Sequence, residues 1–336
     1  MASSYFDFYG VGLSVESAEE EFLRAVEHDF SYFHTESSKP FFRLTYTKAA
    51  PDYDQLPEMT CSLATPRNIC FSNGDLAYID YFGQALNIYD RKSNLSHIIA
   101  GDLDLAHEIA YLTILSRIAE ALEIKRLHRI HGLGIESKGK GTIVLLPSGG
   151  GKSTLALSML RQNNPFSLIS EDSPLLRRDG YLLPFPLRIG VHPQNVPADV
   201  ELRFTRIDKR IEFSSKISID IRAFASKISR DPVPARSLLL GVRSTGCNAY
   251  IKAVSRTALL RYLLTNSIIG IGLYQGLEFL LQKNFAESLQ HTRMLFSRAY
   301  NNLVLLRHTR VFRFLIGRDT DKNYQCLRDF LLHQND

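Results

Sequence analysis

Residues 145–157, LLPSGGGKSTLAL, combine a glycine-rich turn with a lysine and two hydroxyl side chains. The glycines, Gly149, Gly150 and Gly151, can adopt positive φ angles and let backbone N–H groups point toward one centre. An apolar strand-like segment, TIVLL, precedes the turn, and a helix-like segment, LALSML, follows it. Because the start of a helix adds free N–H donors and a positive dipole end, this combination predicts a site for the phosphates of a nucleotide.

The side chains after the glycines add charge and a metal ligand. Lys152 brings a full positive charge to the outer phosphates, and the Ser153 hydroxyl is a ligand for magnesium. Leu146 stands where the usual GxxxxGK[ST] pattern has its first glycine, so the match is incomplete. The alternative is a flexible glycine turn that precedes Lys-Ser-Thr by chance. The predicted nucleotide-binding residues are Ser148, Gly149, Gly150, Gly151, Lys152, Ser153 and Thr154.

Two adjacent carboxylates, Glu171 and Asp172, end the next predicted strand, FSLIS. Phosphoryl transfer needs one group that holds magnesium and one that orients or deprotonates the acceptor. Strand ends of an open α/β sheet border the crevice where ligands bind. Adjacent side chains of an extended chain point in opposite directions, so one acid would face the metal and the other the acceptor. The alternative is a solvated pair, with Asp172 capping a turn before Pro174.

His131, at the start of the strand before TIVLL, is the third candidate for catalysis. A histidine at such a position is more often a hydrogen-bonded structural residue, and its spacing does not decide between the two roles.

The rest of the chain supplies the elements that must position these residues. Residues 1–102 contain short aromatic and β-branched segments separated by turn signals, which predict a β-rich domain with an antiparallel sheet. Residues 103–260 begin with helical spacing and continue into the strands around the glycine turn, so they form the predicted core. Residues 261–336 carry apolar side chains at helical spacing and are predicted to form a helical extension packed on that core.

The composition limits the classes of partner. Apolar residues make up 45% of the 336 residues, enough to bury the cores of two modest domains. The net charge of +5 fits an anionic small molecule and is no argument for nucleic acid, so no nucleic-acid partner is expected. The stretch 267–281 is too short and too polar to cross a bilayer, so no membrane partner is expected. A cytoplasmic protein without zinc or disulfides is predicted because its cysteines lie far apart without a CxxC pair: Cys61, Cys70, Cys247 and Cys326.

Together these segments resemble the HPr kinase family and its HPr-kinase-related members, which carry a phosphate loop on a fold akin to phosphoenolpyruvate carboxykinase. The shared order is a His-Gly pair, a strand, the glycine loop with its lysine and serine, a helix, and a strand that ends in two acids. The likeness covers residues 127–180 and extends weakly to about residue 255. It implies an α/β fold with a P-loop core of the HPr kinase C-terminal type, a β-rich N-terminal domain and a helical C-terminal region.

The resemblance also implies roles for the site residues. Lys152 and the loop amides would bind the β-phosphate of ATP, and Ser153 and Asp172 would hold Mg²⁺. Glu171 would act as the base on the acceptor hydroxyl, and His131 would lie close to the transferred phosphate.

Two arginines, Arg188 and Arg236, fall near positions where the relatives place basic residues. Either one is a candidate for gripping a phosphate or an acidic acceptor. Taken alone, each is more often a surface or structural residue.

The predicted function is ATP- and Mg²⁺-dependent transfer of the γ-phosphoryl group to a serine or threonine hydroxyl of a peptide or protein. Some relatives in peptide natural-product pathways phosphorylate a serine of a precursor peptide, and the N-terminal domain would dock such an acceptor. Glu171 replaces the family's first aspartate, and no copy of the regulatory and phosphorolysis motif stands out, which favours a divergent relative. The alternatives are a kinase of a small-molecule alcohol and a nucleotide-binding module without transfer. The sequence leaves a homo-oligomer open.

Overall fold

The computed structural model describes residues 1–147, 149–161, 165–208, 215–263 and 285–333. The whole of the apolar stretch 267–281 therefore lies outside the described residues. No helix in the described part of the chain is long and apolar enough to cross a membrane.

The chain divides into two compact units, each with its own packed interior. The first contains Met1–Leu122, and the second contains most of the described residues from Glu123 onward. Both units combine helices with a large sheet, so the predicted α/β class is confirmed. The predicted boundary at residue 102 differs from the structure, which assigns most of the long helix after it to the first unit.

The first unit is built on a nine-stranded sheet in the order β3-β1-β2-β4-β9-β8-β7-β6-β5. Its helices are α1 (Glu20–Phe30) and α2 (Leu103–Ile124), with a 3₁₀ turn at Ser31–Phe33. Its strands are β1 (Ala2–Asp7), β2 (Gly12–Ser17), β3 (His34–Thr35), β4 (Pro40–Thr47), β5 (Cys61–Ala64), β6 (Ile69–Asn73), β7 (Leu76–Asp80), β8 (Ala85–Asp90) and β9 (Leu95–Ala100).

The predicted antiparallel sheet is confirmed for β5 to β9, which form a meander. It is wrong for β4, which runs parallel to both β2 and β9. Parallel neighbours need a crossover connection, and α1 supplies the one between β2 and β4. Phe22 and Phe30 of α1 are fully buried, and the Phe22 ring lies 4.4 Å from that of Tyr46 on β4. Aromatic packing against α1 thus holds the parallel part of the sheet.

The elements after α2 alternate short strands and helices. The helices are α3 (Lys152–Arg161), α4 (Thr257–Leu263), α5 (Phe285–His308) and α6 (Thr320–His333), with 3₁₀ turns at Pro193–Asn195, Leu202–Phe204 and Ile221–Lys227. The strands are β10 (His128–Arg129), β11 (Leu133–Ser137), β12 (Lys140–Leu145), β13 (Phe166–Ser170), β14 (Leu175–Leu176), β15 (Tyr181–Leu183), β16 (Ile189–Val191), β17 (Thr205–Asp208), β18 (Lys216–Ile219), β19 (Val233–Arg243), β20 (Tyr250–Ala253) and β21 (Arg310–Ile316).

The second unit is organised by a mixed sheet in the order β10-β14-β15-β19-β12-β11-β13. Strands β12 and β19 run parallel, and the second half of β19 also pairs in parallel with β21. Strand β11 is antiparallel to both of its neighbours, β12 and β13. Consequently β12 and β13 run in the same direction and end at the same edge of the sheet.

The C-terminal region is not purely helical, which corrects the predicted helical extension. Between α5 and α6, β21 enters the sheet beside β19 and buries Val311, Phe314 and Ile316. Its sequence, RVFRFLI, is too short for its alternation to stand out between two longer helical patterns. The strand joins the C-terminus of the chain to the same sheet that carries the glycine turn.

Candidate active site

The glycine turn joins β12 to α3, the strand–turn–helix arrangement that phosphate binding requires. Gly149 and Gly151 have φ angles of 71° and 100°, which only glycine adopts without strain. The N–H of Gly150 donates to the carbonyl of Pro147 at 3.0 Å, and a Cβ at Gly150 would lie 2.8 Å from that oxygen. The backbone therefore needs all three glycines. Ser148, a predicted phosphate contact, lies outside the described residues.

Lys152 is the point at which three segments of the site meet. Its side chain is buried, and Nζ lies 2.9 Å from Nε2 of His131 and 3.4 Å from Oδ1 of Asp172. Nζ also donates to the carbonyls of Leu146 at 3.0 Å and Pro147 at 3.3 Å. An ammonium can only donate, so Nε2 of His131 must accept, which leaves Nδ1 to carry the ring proton. Nδ1 lies 3.4 Å from Oδ1 of Asp172.

Strand topology explains how His131 reaches the lysine. Strand β11 pairs Leu133 with Val144 of β12 and Gly134 with Ser170 of β13. Its first residue therefore lies at the edge where both neighbouring strands end. His131, two residues earlier, is placed between the glycine turn and the acid pair.

Gly132 fixes the approach of that segment to the sheet. Its N–H donates to the carbonyl of Asp172 at 2.8 Å. A Cβ at Gly132 would lie 3.0 Å from the carbonyl oxygen of Val144, which is closer than nearly all Cβ contacts in proteins. The His-Gly pair in the sequence therefore combines a site residue with the close backbone approach that positions it.

The two acids make separate contacts. Ser153 Oγ donates to Oε1 of Glu171 at 2.5 Å, whereas Asp172 faces Lys152 and His131. Ser153 is thus in direct contact with Glu171, and the shared Mg²⁺ role of Ser153 and Asp172 stays a prediction. The divergence of the two side chains after β13 agrees with the alternation of extended chain. Thr154, the last predicted phosphate contact, is exposed in the first turn of α3.

The pKa of Asp172 is set by opposing effects. Burial raises it, but the N–H that Nδ1 of His131 directs at the carboxylate and the positive charges of Lys152 and Arg129 outweigh this and lower the pKa to about 2. The carboxylate is therefore ionised throughout the physiological range.

A stability measurement tests this pKa. Since the native pKa of about 2 lies below the ordinary aspartate value of 3.8, the stabilisation is complete well above pH 4 and is lost progressively as pH falls from about 5 toward 2. We expect Asp172→Asn to have a lower free energy of unfolding than the wild type above pH 4, and this difference to shrink below pH 4. Urea unfolding without added Mg²⁺ between pH 3 and 7 measures the difference. A difference that does not change with pH would contradict the low pKa of Asp172.

Arg129 is a site residue that the sequence interpretation missed. It is buried on β10, which pairs with β14, and its charge acts on Asp172. The signal was present, because Arg129 lies two residues before His131 and side chains two apart in an extended chain share a face.

A buried network of charged and polar side chains contacts β10 through His128, the residue before Arg129. Arg298 donates to both carboxylate oxygens of Glu123, at 2.6 and 2.9 Å, and Nδ1 of His128 contacts the same carboxylate. Burial raises the pKa of Glu123, but the His128 and Arg298 contacts outweigh this and lower it. His128 Nε2 also lies 2.9 Å from Ser297 Oγ on α5. The network therefore ties β10, and with it Arg129, to α5.

The two arginines predicted as phosphate or acceptor contacts, Arg188 and Arg236, lie near opposite ends of the strands of the sheet. Arg188 is half-buried just after Phe185, whose N–H donates to the carbonyl of Ile169 near the end of β13. Phe185 therefore lies at the edge that carries the site, three residues before Arg188. Arg236 is exposed on β19 beside Ala235, which pairs with Gly141 at the beginning of β12. The structure therefore places Arg236 at the far end of the sheet, away from the glycine turn.

Leu146, which replaces the first glycine of the usual pattern, is accommodated by a glycine elsewhere. Its side chain is fully buried against Gly241 of β19, where an added Cβ would lie 2.2 Å from Leu146 Cδ2. The missing glycine of the loop is thus matched by one on the neighbouring parallel strand.

This contact gives a packing prediction. We expect Gly241→Ala to lower the free energy of unfolding by about 1–3 kcal/mol, because the new methyl overlaps Leu146. The double variant with Leu146→Ala should lose less than the two single costs added together. Chemical denaturation measures both. Gly246→Ala is the control because only Ser244 Oγ approaches its Cβ position, at 3.5 Å. Equal losses at Gly241 and Gly246 would contradict the packing account.

No family model matches this chain, and no curated protein matches it. Within the described residues, no cluster of three or more histidine, cysteine, aspartate or glutamate side chains could hold a metal by itself. Magnesium needs no such cluster, because it is commonly bound by one or two carboxylates, substrate phosphates and water. The Ser153–Glu171 pair beside the glycine turn has the oxygen ligands that such a site requires.

Proposed function

We propose that this chain is an ATP- and Mg²⁺-dependent kinase of the HPr-kinase-related type, which phosphorylates a serine or threonine hydroxyl of a peptide or protein. The observation that carries the proposal is the meeting of Lys152, Ser153, His131, Glu171 and Asp172 at one sheet edge. A glycine turn alone could bind any anion. Two acids with separate contacts favour phosphoryl transfer, because that reaction needs one group for the metal and another for the acceptor.

The glycine turn and Lys152 bind the donor. The turn presents backbone N–H groups at the start of α3, where the helix dipole favours phosphate. In the structure, Lys152 Nζ donates hydrogen bonds to the carbonyls of Leu146 and Pro147. Phosphate oxygens are stronger acceptors for an ammonium than these neutral carbonyls, so the exchange favours nucleotide binding.

Ser153 and Glu171 would hold a magnesium ion, since their oxygens lie 2.5 Å apart beside the glycine turn. The chemistry that such an ion would supply is neutralisation of charge on the phosphates of the donor. This assignment moves the metal role from Asp172, where the resemblance put it, to Glu171.

Asp172 is then the acid that receives the acceptor. The acceptor oxygen forms a bond to the γ-phosphorus, the bond from that phosphorus to the β-phosphate oxygen breaks, and ADP leaves. The hydroxyl proton passes to Asp172. Its low pKa suits it to orient an un-ionised hydroxyl by accepting a hydrogen bond, with the proton moving late. His131 and Lys152 hold the carboxylate in place.

The assignment is tested by following transfer of label from γ-labelled ATP to serine and threonine peptides and, separately, to small alcohols. We expect Asp172→Asn to lower transfer by about 10²-fold or more while ATP affinity is kept. Glu171→Gln should raise the Mg²⁺ concentration needed for half-maximal rate. Asp231→Asn, an exposed aspartate of the same unit, is the control.

Other outcomes redirect the proposal. Transfer to alcohols alone would favour a metabolite kinase, and ATP binding without transfer to any acceptor would favour a nucleotide-binding module. Unchanged transfer in both acid variants would show that neither acid acts in catalysis.

A further inference from the structure

Arg243, at the last position of β19, lies against the final glycine of the loop. Its Nη1 is 3.7 Å from the position that a Cβ would take on Gly151, and among the described residues apart from the chain neighbours of Gly151 no other atom lies within 4 Å of that position. A guanidinium therefore occupies one side of the phosphate loop, and it is contributed by a strand distant in sequence.

The strand register, rather than a chance side-chain position, places Arg243 there. Strand β19 runs parallel to β12 and pairs Leu240 with Leu145, so Arg243 extends three residues beyond the end of β12. Gly241 and Arg243 share a face of β19, and Gly241 is the residue that contacts Leu146. Pairing of Arg243 with Ile316 of β21 fixes its backbone.

The state of the side chain differs from that of Lys152. The Arg243 side chain is exposed, and within the part of the chain that the structure describes its guanidinium makes no hydrogen bond or ion pair. Lys152 is buried and bonded to its own loop. A planar guanidinium with free donors beside bare backbone N–H groups matches phosphate oxygens, which it binds in bidentate fashion.

We propose that Arg243 binds the terminal phosphates of the nucleoside triphosphate and stabilises the charge that develops on the transferred group. This rests on the proposed function and adds a residue that the loop pattern does not contain. Arg243 would supply from β19 a second cation in addition to Lys152, and it lies close enough to the loop to reach phosphates bound there.

The test measures ATP, ADP and AMP affinity by calorimetry and phosphoryl transfer by label, in the wild type and in Arg243→Ala. We expect ATP affinity to fall about 10- to 100-fold and AMP affinity to stay unchanged. Transfer should fall by about 10³-fold, the lower end of what an arginine on the transferred phosphate contributes. Arg243→Lys should restore part of the affinity, and millimolar guanidinium should restore part of the transfer in Arg243→Ala.

The control is Arg310→Ala, which removes an exposed arginine from the amino end of the neighbouring strand β21. If the wild type binds and transfers but Arg243→Ala behaves like Arg310→Ala, this role is wrong and the proposed function stands. If the wild type binds no ATP, the proposed function fails and this role fails with it. Equal losses of ATP and AMP affinity in Arg243→Ala would indicate a structural effect and would also overturn the role.

Discussion

Replacing Lys152 by alanine is expected to lower kcat/KM for phosphoryl transfer by about 10³-fold or more. The ammonium is the buried charge at the meeting point of the glycine turn, His131 and Asp172. Removing a preorganised donor to developing charge costs about 10²–10³-fold, and Lys152 also contributes to ATP binding. Transfer of label measures the rate, and calorimetry measures the loss of ATP affinity.

Two further variants sharpen this result. Lys152→Arg keeps the charge but changes its shape, so we expect weak ATP binding and little transfer. Lys252→Ala removes an exposed lysine from β20 and should match the wild type. Thermal unfolding of each variant checks that the fold is kept. Transfer by folded Lys152→Ala at the wild-type rate would eliminate the glycine turn as the catalytic phosphate site.

The second large effect concerns stability. Arg298→Ala is expected to lower the free energy of unfolding by about 3–5 kcal/mol, because it leaves the Glu123 carboxylate buried without its main countercharge. Glu123 is 3% exposed and Arg298 is 2% exposed. Chemical denaturation measures the loss. Because the network holds β10, we also expect the position of Arg129 beside Asp172 to be disturbed.

Matched variants separate the buried pair from the helix that carries it. Arg293→Ala changes an exposed arginine of the same helix and should cost less than about 0.5 kcal/mol. The double variant Glu123→Gln with Arg298→Met removes both charges and should be more stable than Arg298→Ala, since no buried charge remains unpaired. If Arg298→Ala and Arg293→Ala cost the same, the network does not stabilise the unit.

Local chemistry made part of the site visible in the sequence. The glycine turn, the strand before it and the helix after it depend on residues within about ten positions of one another, and the structure has all three. The strand that ends at Ser170 was equally readable, because its apolar run stops at the two acids.

The order of the strands in the sheet cannot be predicted from the sequence pattern, and this order decides which side chains come into contact. Nothing in the local pattern shows that β11 lies between β12 and β13, yet this order puts His131 against Lys152. The same cause separates Arg236 from the loop and brings Arg243 to it, because the two lie at opposite ends of one strand.

The sequence by itself determined where a phosphate loop forms and which acids follow it, since glycine conformations, strand runs and helix starts are short-range properties. Only the tertiary structure decided that Glu171 faces Ser153 while Asp172 faces Lys152, and that Arg129 and Arg243 join them. Those contacts depend on register and on the direction of each side chain from the sheet. Both are fixed by pairing between segments far apart in the chain, which no local pattern records.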